Sequence, residues 1–179
     1  MPVINRTPYR NLILTGTMGV GKTGVGRALA RQMEGAEFID VETEIQAREG
    51  HTPEYIRETF GAARLRSIES KLVQEITLRR STIIAVSGSS LADQGNLERL
   101  QDTGPILCLT AALGEILRRL HVSQGGWFHQ PDNRAGVLGR LKRERHVLSL
   151  GLAQVDTTGL KIEEVAQKAI EFWMTNADM

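Results

Sequence analysis

Eight consecutive residues, Gly16-Thr17-Met18-Gly19-Val20-Gly21-Lys22-Thr23, carry the densest chemical signal in the chain. They fit the pattern G-x-x-x-x-G-K-[ST], which cradles the phosphates of a nucleoside triphosphate. Each residue type has a task there. Glycines at 16, 19 and 21 allow a tight turn that brings bare backbone N–H groups up to phosphate oxygens. Lys22 supplies a mobile point charge for the β- and γ-phosphates. The Thr23 hydroxyl is suited to ligate Mg²⁺. A helix starting near Gly21 adds the positive end of its dipole.

Such a loop must sit between a strand and a helix, and the flanking sequence supplies both. Residues 11–15, Asn-Leu-Ile-Leu-Thr, form a short apolar run suited to a buried parallel strand. After the loop, Val25, Leu29 and Met33 recur at helical spacing with Arg27, Arg31 and Gln32 between them. Residues 37–39 read as a second strand ending at Asp40. If that strand continues, Asp40 and Glu42 point to one face; the other reading is an acidic start to the next helix, favoured by its dipole. Thr52-Pro53-Glu54 is a strong helix start, with a capping hydroxyl, Pro in the first position and an acid in the first turn. A longer helix is expected over 62–79, its buried face carried by Leu65, Ile68, Leu72, Val73, Ile76 and Leu78. An isolated arginine on such a helix, Arg66 among them, is usually just solvated.

Residues 82–86, Thr-Ile-Ile-Ala-Val, make a third strand, followed at once by Ser87-Gly88-Ser89-Ser90. A small-residue loop at that end of a strand is where open α/β sheets bind ligands, although it also suits an ordinary turn. Residues 105–109 make a fourth strand, after which Thr110 is expected to cap a helix with Leu113, Ile116, Leu117 and Leu120 inward and Arg118 and Arg119 at its end. Residues 121–136, rich in Gly and polar groups, break the pattern, and long irregular segments in a compact domain are often lids. A basic helix over 137–150, a short strand at 155–157 and an amphipathic helix over 161–174 close the chain. Strands alternating with helices predict a single three-layer α/β/α domain over 1–179, with a five-stranded parallel sheet.

Composition narrows the rest. Apolar residues make up 41% and charged residues 24% of the 179, ordinary for a chain that buries one core. A net charge of +1 gives no reason to invoke nucleic acid or a membrane surface. No run approaches the ~20 apolar residues of a membrane span, and residues 1–10 hold no signal-peptide pattern. The single cysteine, Cys108, excludes an internal disulfide and fits a reducing cytoplasm.

Taken end to end, these motifs resemble the shikimate kinase family of small P-loop kinases. That family places D-x-D after its second strand, where Asp40-Val41-Glu42 stands. Its G-x-x-x-F-R spacing is matched by Gly61-Ala62-Ala63-Arg64-Leu65-Arg66, and its Gly-Gly-Gly by Ser87-Gly88-Ser89. An arginine after the fourth strand is matched by Arg119, a late L-x-x-L-x-x-x-R by Leu138, Leu141 and Arg145, and the last strand by Val155-Asp156-Thr157. Glu42 replaces Asp, Ser87 and Ser89 replace glycines, and the lid motif R-P-L-L is Gln130-Pro131-Asp132-Asn133, followed by Arg134.

The resemblance implies a P-loop kinase fold with a lid at about 121–136 that is mobile without ligand. It implies transfer of the ATP γ-phosphoryl to a hydroxyl of a small carboxylate-bearing acceptor, shikimate or a similar hydroxy acid. Lys22, Asp40 and Glu42 would be catalytic, with Thr23 and Asp40 at Mg²⁺. Gly16, Gly19, Gly21, Lys22, Thr23, Arg119 and Arg134 would hold ATP, with Arg119 against adenine. Glu42, Arg66, Gly88 and Arg145 would hold the acceptor, the two arginines clamping its carboxylate in one pocket. A cytoplasmic monomer is expected, with neither nucleic-acid nor membrane partners. The residue changes in the acceptor half keep two further readings open: a kinase with another acceptor, such as a sugar acid or nucleotide, and a nucleotide-binding regulatory module without transfer.

Overall fold

Leu12, Ile13, Leu14 and Thr15 are all fully buried, and they form the middle strand of a parallel sheet. The computed structural model describes residues 5–178. In chain order the strands are β1 (Asn5–Arg6), β2 (Leu12–Thr15), β3 (Met33–Glu34), β4 (Glu37–Asp40), β5 (Thr82–Ala85), β6 (Ile106–Thr110) and β7 (Ala153–Asp156). The helices are α1 (Lys22–Gln32), α2 (Val41–Glu49), α3 (Pro53–Phe60), α4 (Ala62–Ile76), α5 (Gln94–Thr103), α6 (Leu113–Gln124), α7 (Gly126–His129), α8 (Pro131–Glu144) and α9 (Ile162–Asn176). The main sheet runs β4-β5-β2-β6-β7, parallel throughout. A separate two-residue ladder, β1 with β3, has no counterpart in the sequence expectation.

The two-residue period of a strand divides the core. Leu12 and Leu14 face one layer, with Val25 and Leu29 of α1 and Val165, Ile170 and Trp173 of α9. Ile13 faces the other, with Leu65, Leu72 and Val73 of α4 and Leu97 and Leu100 of α5. Each such side chain contributes roughly 1.5–3 kcal/mol on burial. Trp173 is fully buried, and its indole N–H donates to the Arg10 carbonyl at 3.0 Å. Cys108 is also buried, which pushes its thiol up to about 11 and leaves it unreactive.

From β2 the chain goes to the β4 edge and returns through β5; from β6 it moves the other way. That reversal opens a crevice at the C-terminal end of β2, where open sheets of this kind bind ligands. Gly16 lies there with φ 138°, and a Cβ on it would sit 2.3 Å from the Leu109 carbonyl oxygen. Only glycine turns the chain so close to β6.

Several local expectations need correction. Residues 121–136 are largely helical, ending α6 and forming α7 and the first turns of α8, because Pro131 sits at a helix start and Asp132 in its first turn. The helix expected over 137–150 is therefore α8, which stops at Glu144, plus a 3₁₀ turn over Arg145–Ser149. Thr110 stays in β6 and Ala112 is the cap residue of α6. α4 ends at Ile76, which leaves Leu78 82% exposed, and Leu113 on the first turn of α6 is 57% exposed. None of the helices among the described residues is long and apolar enough to cross a membrane.

Candidate active site

The phosphate loop leads straight from β2 into α1, whose first residue is Lys22. Gly19, Gly21, Lys22 and Thr23 line a cavity of about 610 Å³, together with Asp40, Arg119 and Arg140. Lys22 Nζ donates to the carbonyls of Gly16 and Thr17, 2.9 Å each, so its stem folds back along the loop. Dense surroundings push the ammonium below its ordinary 10.5; Glu144, Glu42 and Asp40 oppose that shift.

Asp40 is the last residue of β4 and the cap of α2, its Oδ1 accepting from the backbone N–H groups of Glu42 and Thr43. The helix-start reading is therefore the right one, and Glu42 lies in the first turn of α2 rather than on an extended strand. Capping fixes the carboxylate so that its second oxygen, Oδ2, accepts from Thr23 Oγ1 at 2.7 Å. Two hard oxygen donors thus meet at the mouth of the phosphate loop.

Arg119 crosses from α6 to hold the loop in place. Its guanidinium donates to Thr157 Oγ1 and to the Thr157 carbonyl, both at 3.0 Å, and reaches the Gly19 and Val20 carbonyls at 3.4 Å. Arg134 is elsewhere. It lies on the first turns of α8, 5.7 Å over the Phe128 ring, and does not line this cavity.

A second cavity of about 220 Å³ opens between α3, α4, α8 and residues 87–90. It is lined by four arginines, Arg57, Arg66, Arg140 and Arg143, and four acids, Glu42, Glu54, Glu69 and Glu144. Arg143 is taken by Glu54 at 2.5 Å. Among the described residues, Arg57 and Arg66 pair with no other side chain. Arg145 does not join them. The turn from α8 into the 3₁₀ segment directs it to a different cavity of about 350 Å³, beside Thr110, Leu113 and Leu148. Gly88 lines neither main cavity; a Cβ there would meet the Glu144 carbonyl oxygen at 2.8 Å. Its smallness serves the packing of α8 on this loop, and its N–H donates to the Gly16 carbonyl at 3.2 Å.

Three groups that sequence reasoning missed organise this half. Glu144 is 1% exposed, and its carboxylate accepts the Met18 N–H of the phosphate loop at 2.7 Å and Arg140 Nε at 2.5 Å. Arg140 also pairs with Glu42. Burial works to lower the Arg140 pKa, but Glu42 and Glu144 outweigh it and hold the guanidinium raised. Glu69, 6% exposed, accepts from Ser90 Oγ at 2.7 Å, and Ser90 continues through Ser87 to Ser89 at 3.1 and 3.0 Å. Burial pushes the Glu69 carboxyl up to about 7. The available signals were an acid inside the apolar stripe of α4, and an Arg140/Glu144 pair at i, i+4 beside Val137 and Leu141.

The shikimate kinase family model matches residues 18–173. The chain belongs to the shikimate kinase family. It is 34% identical to the shikimate kinase of Thermodesulfovibrio yellowstonii over 163 residues, covering 90% of this chain and 94% of that one. It is 33% identical to the shikimate kinase of Halorhodospira halophila, over 93% and 94%. Among solved structures it is similar to the shikimate kinase from Acinetobacter baumannii in complex with shikimate, with TM-score 0.78, 26% identity and coverage of 94% and 95%. This shikimate kinase family member is thus a shikimate kinase-like phosphotransferase, an ATP-dependent small-molecule kinase, with a phosphate-loop cavity opening beside a second, arginine-lined one.

Proposed function

We propose that the chain moves the γ-phosphoryl of ATP to a hydroxyl of shikimate or a close carboxylate-bearing analogue. The observation that carries this reading is the adjacency of the two cavities, one built on a phosphate loop and the other offering unpaired Arg57 and Arg66. A planar guanidinium fork suits a carboxylate. A carboxylate at one end and hydroxyls toward Glu42 at the other would fill the second cavity.

In this reading the backbone of Gly16, Gly19 and Gly21 and the charge of Lys22 hold the donor phosphates. Arg119 lines the same cavity, beside the adenosine end of ATP. Thr23 and Asp40 suit Mg²⁺, which takes oxygen ligands and uses few protein groups when phosphates and waters complete its shell. Bound there, Mg²⁺ would neutralise charge on the β- and γ-phosphates. Glu42 takes the acceptor hydroxyl proton. The hydroxyl oxygen forms the new P–O bond, the bond from the γ-phosphorus to the bridging oxygen breaks, and its electron pair leaves on ADP. Most of the rate comes from positioning and charge stabilisation.

The test is a coupled assay of ADP release with a panel of acceptors, with the product identified by phosphorus NMR. ADP release dependent on shikimate, with one new phosphate ester, is expected. Ester formation only with a sugar acid or a nucleotide would replace the acceptor. That second reading is favoured by the Ser89–Ser87–Ser90–Glu69 chain, which adds hydrogen-bonding groups to the acceptor wall.

A further inference from the structure

Three residues, Glu42, Ser87 and Arg140, line both cavities. A group passing from the nucleotide to the acceptor must pass the place where the cavities meet. Of the three, only Arg140 is a cation. The other arginines of the acceptor cavity, Arg57, Arg66 and Arg143, line that cavity alone. Arg119 lines only the nucleotide cavity, and Arg134 neither.

Arg140 is also held for such a place. Its Nε donates to Glu144 and its Nη2 to Glu42, which fixes the plane of the guanidinium from two sides. Glu144 in turn accepts the Met18 N–H, so the same carboxylate ties the arginine to the phosphate loop. A guanidinium has five N–H donors. Among the described residues Arg140 Nη1 makes no hydrogen bond, so its two donors remain for a third anion. A cation preset by two carboxylates needs little reorganisation when charge develops beside it.

We infer that Arg140 is a catalytic residue of phosphoryl transfer: Nη1 donates to the γ-phosphoryl oxygens as they pass between the cavities, while Nη2 orients the Glu42 carboxylate at the acceptor hydroxyl. The inference rests on the proposed phosphotransfer reading and assigns the transfer-point cation that Arg134 does not supply. No proton leaves Arg140. The acceptor oxygen forms the new P–O bond as the bond to the bridging oxygen breaks toward ADP, and the arginine balances the charge spread over the equatorial oxygens.

The experiment compares wild type, Arg140→Ala and Arg140→Lys. Arg140→Lys keeps a cation against buried Glu144, so at least one variant folds. Three quantities are measured: kcat with the acceptor panel, MgADP affinity by calorimetry, and the gain in affinity when fluoroaluminate, a phosphoryl mimic, joins MgADP. Arg140→Ala should lose at least about 100-fold in kcat, the scale of losing one charge-stabilising donor, with MgADP affinity within about threefold of wild type. Arg140→Lys should recover only part, because an ammonium lacks the fork. Both variants should lose most of the fluoroaluminate gain. Unchanged kcat, or a fall in kcat matched by an equal fall in MgADP affinity, would overturn the inference. A wild type inactive on every acceptor would instead sink the acceptor reading. Arg140 would then be judged on the fluoroaluminate gain alone, and its absence in wild type or its survival in Arg140→Ala would overturn the inference too.

Discussion

The nucleotide half and the acceptor half of the crevice are built differently. In the nucleotide half the backbone does the positioning. Gly16 turns the chain under the Leu109 carbonyl, α1 starts at Lys22, and Asp40 is locked by capping α2. Few side-chain torsions intervene between the buried strands and the groups that face phosphate. In the acceptor half long side chains from α2, α3 and α8 assemble into a mesh of ion pairs, Glu42–Arg140–Glu144 and Glu54–Arg143. A site set by backbone tolerates little change, whereas one set by side chains can be retuned residue by residue. Three departures from the family pattern, Glu42, Ser87 and Ser89, line the acceptor cavity, although Glu42 and Ser87 border the nucleotide cavity as well.

The largest expected effect is therefore in the backbone-set half. Lys22→Met should lower kcat by about 10³-fold, since it removes a full charge aimed at the transferring phosphates. The coupled assay measures this, and a variant within tenfold of wild type would mean that another cation does the work.

Next comes Glu69, the buried acid of the side-chain half. Folded, its carboxyl holds a proton up to about pH 7; unfolded, it releases it near the ordinary value of 4.5. Between those values the folded state binds more protons, so stability falls as pH rises through this window and is flat above it. The displacement corresponds to about 3 kcal/mol. Urea unfolding at about pH 5 and about pH 8 should show that loss in wild type and not in Glu69→Gln. Parallel pH profiles for the two proteins would put the acid in a wetter place than the structure does.

A third test sharpens the difference between two arginines. Arg66→Ala should cost about 30-fold in acceptor kcat/KM, the scale of a lost charge-assisted hydrogen bond. Arg145→Ala should stay within about threefold, because Arg145 lines another cavity. A reversed ranking would mean that Arg145, not Arg66, meets the acceptor.

The same contrast explains what could be read from the sequence. The phosphate loop, the five strands and Thr52 as a helix cap were legible because each is a local rule of spacing and backbone chemistry. Thr52 Oγ1 does accept from the Tyr55 N–H at 3.2 Å. The acceptor half depends on helix phase. Ending α8 at Glu144, with Val137, Leu141 and Glu144 inward, aims Arg140 at the site and turns Arg145 away. Nothing local to Arg145 signals this, since the phase is set by packing at Val137 and Leu141. Residues 137–150 read only as a basic helix, in which Arg140 and Glu144 stand one turn apart, and only the fold shows Glu144 buried beneath the phosphate loop.

The smallest effect tests how far the acceptor half has been retuned. Ser87 and Ser89 place two hydroxyls 3.0 Å apart on the acceptor wall, and Ser87 borders the nucleotide cavity as well. Glu42 reaches one methylene further than aspartate, an offset of ~1 Å for the group that meets the acceptor hydroxyl, and such offsets are felt in rate. The combined variant Ser87→Gly, Ser89→Gly, Glu42→Asp should therefore raise kcat/KM for shikimate by about tenfold. The two parts separate in the kinetics: the serines, which take up space and hydrogen bonds, should act on KM, and Glu42, which meets the reacting oxygen, on kcat. Ser90 keeps its bond to Glu69 in the variant, so the buried acid stays satisfied. A loss of activity instead of a gain would mean that the hydroxyl chain from Ser89 to Glu69 binds the acceptor directly, and that the side-chain half has been retuned to an acceptor with more hydrogen-bonding groups than shikimate.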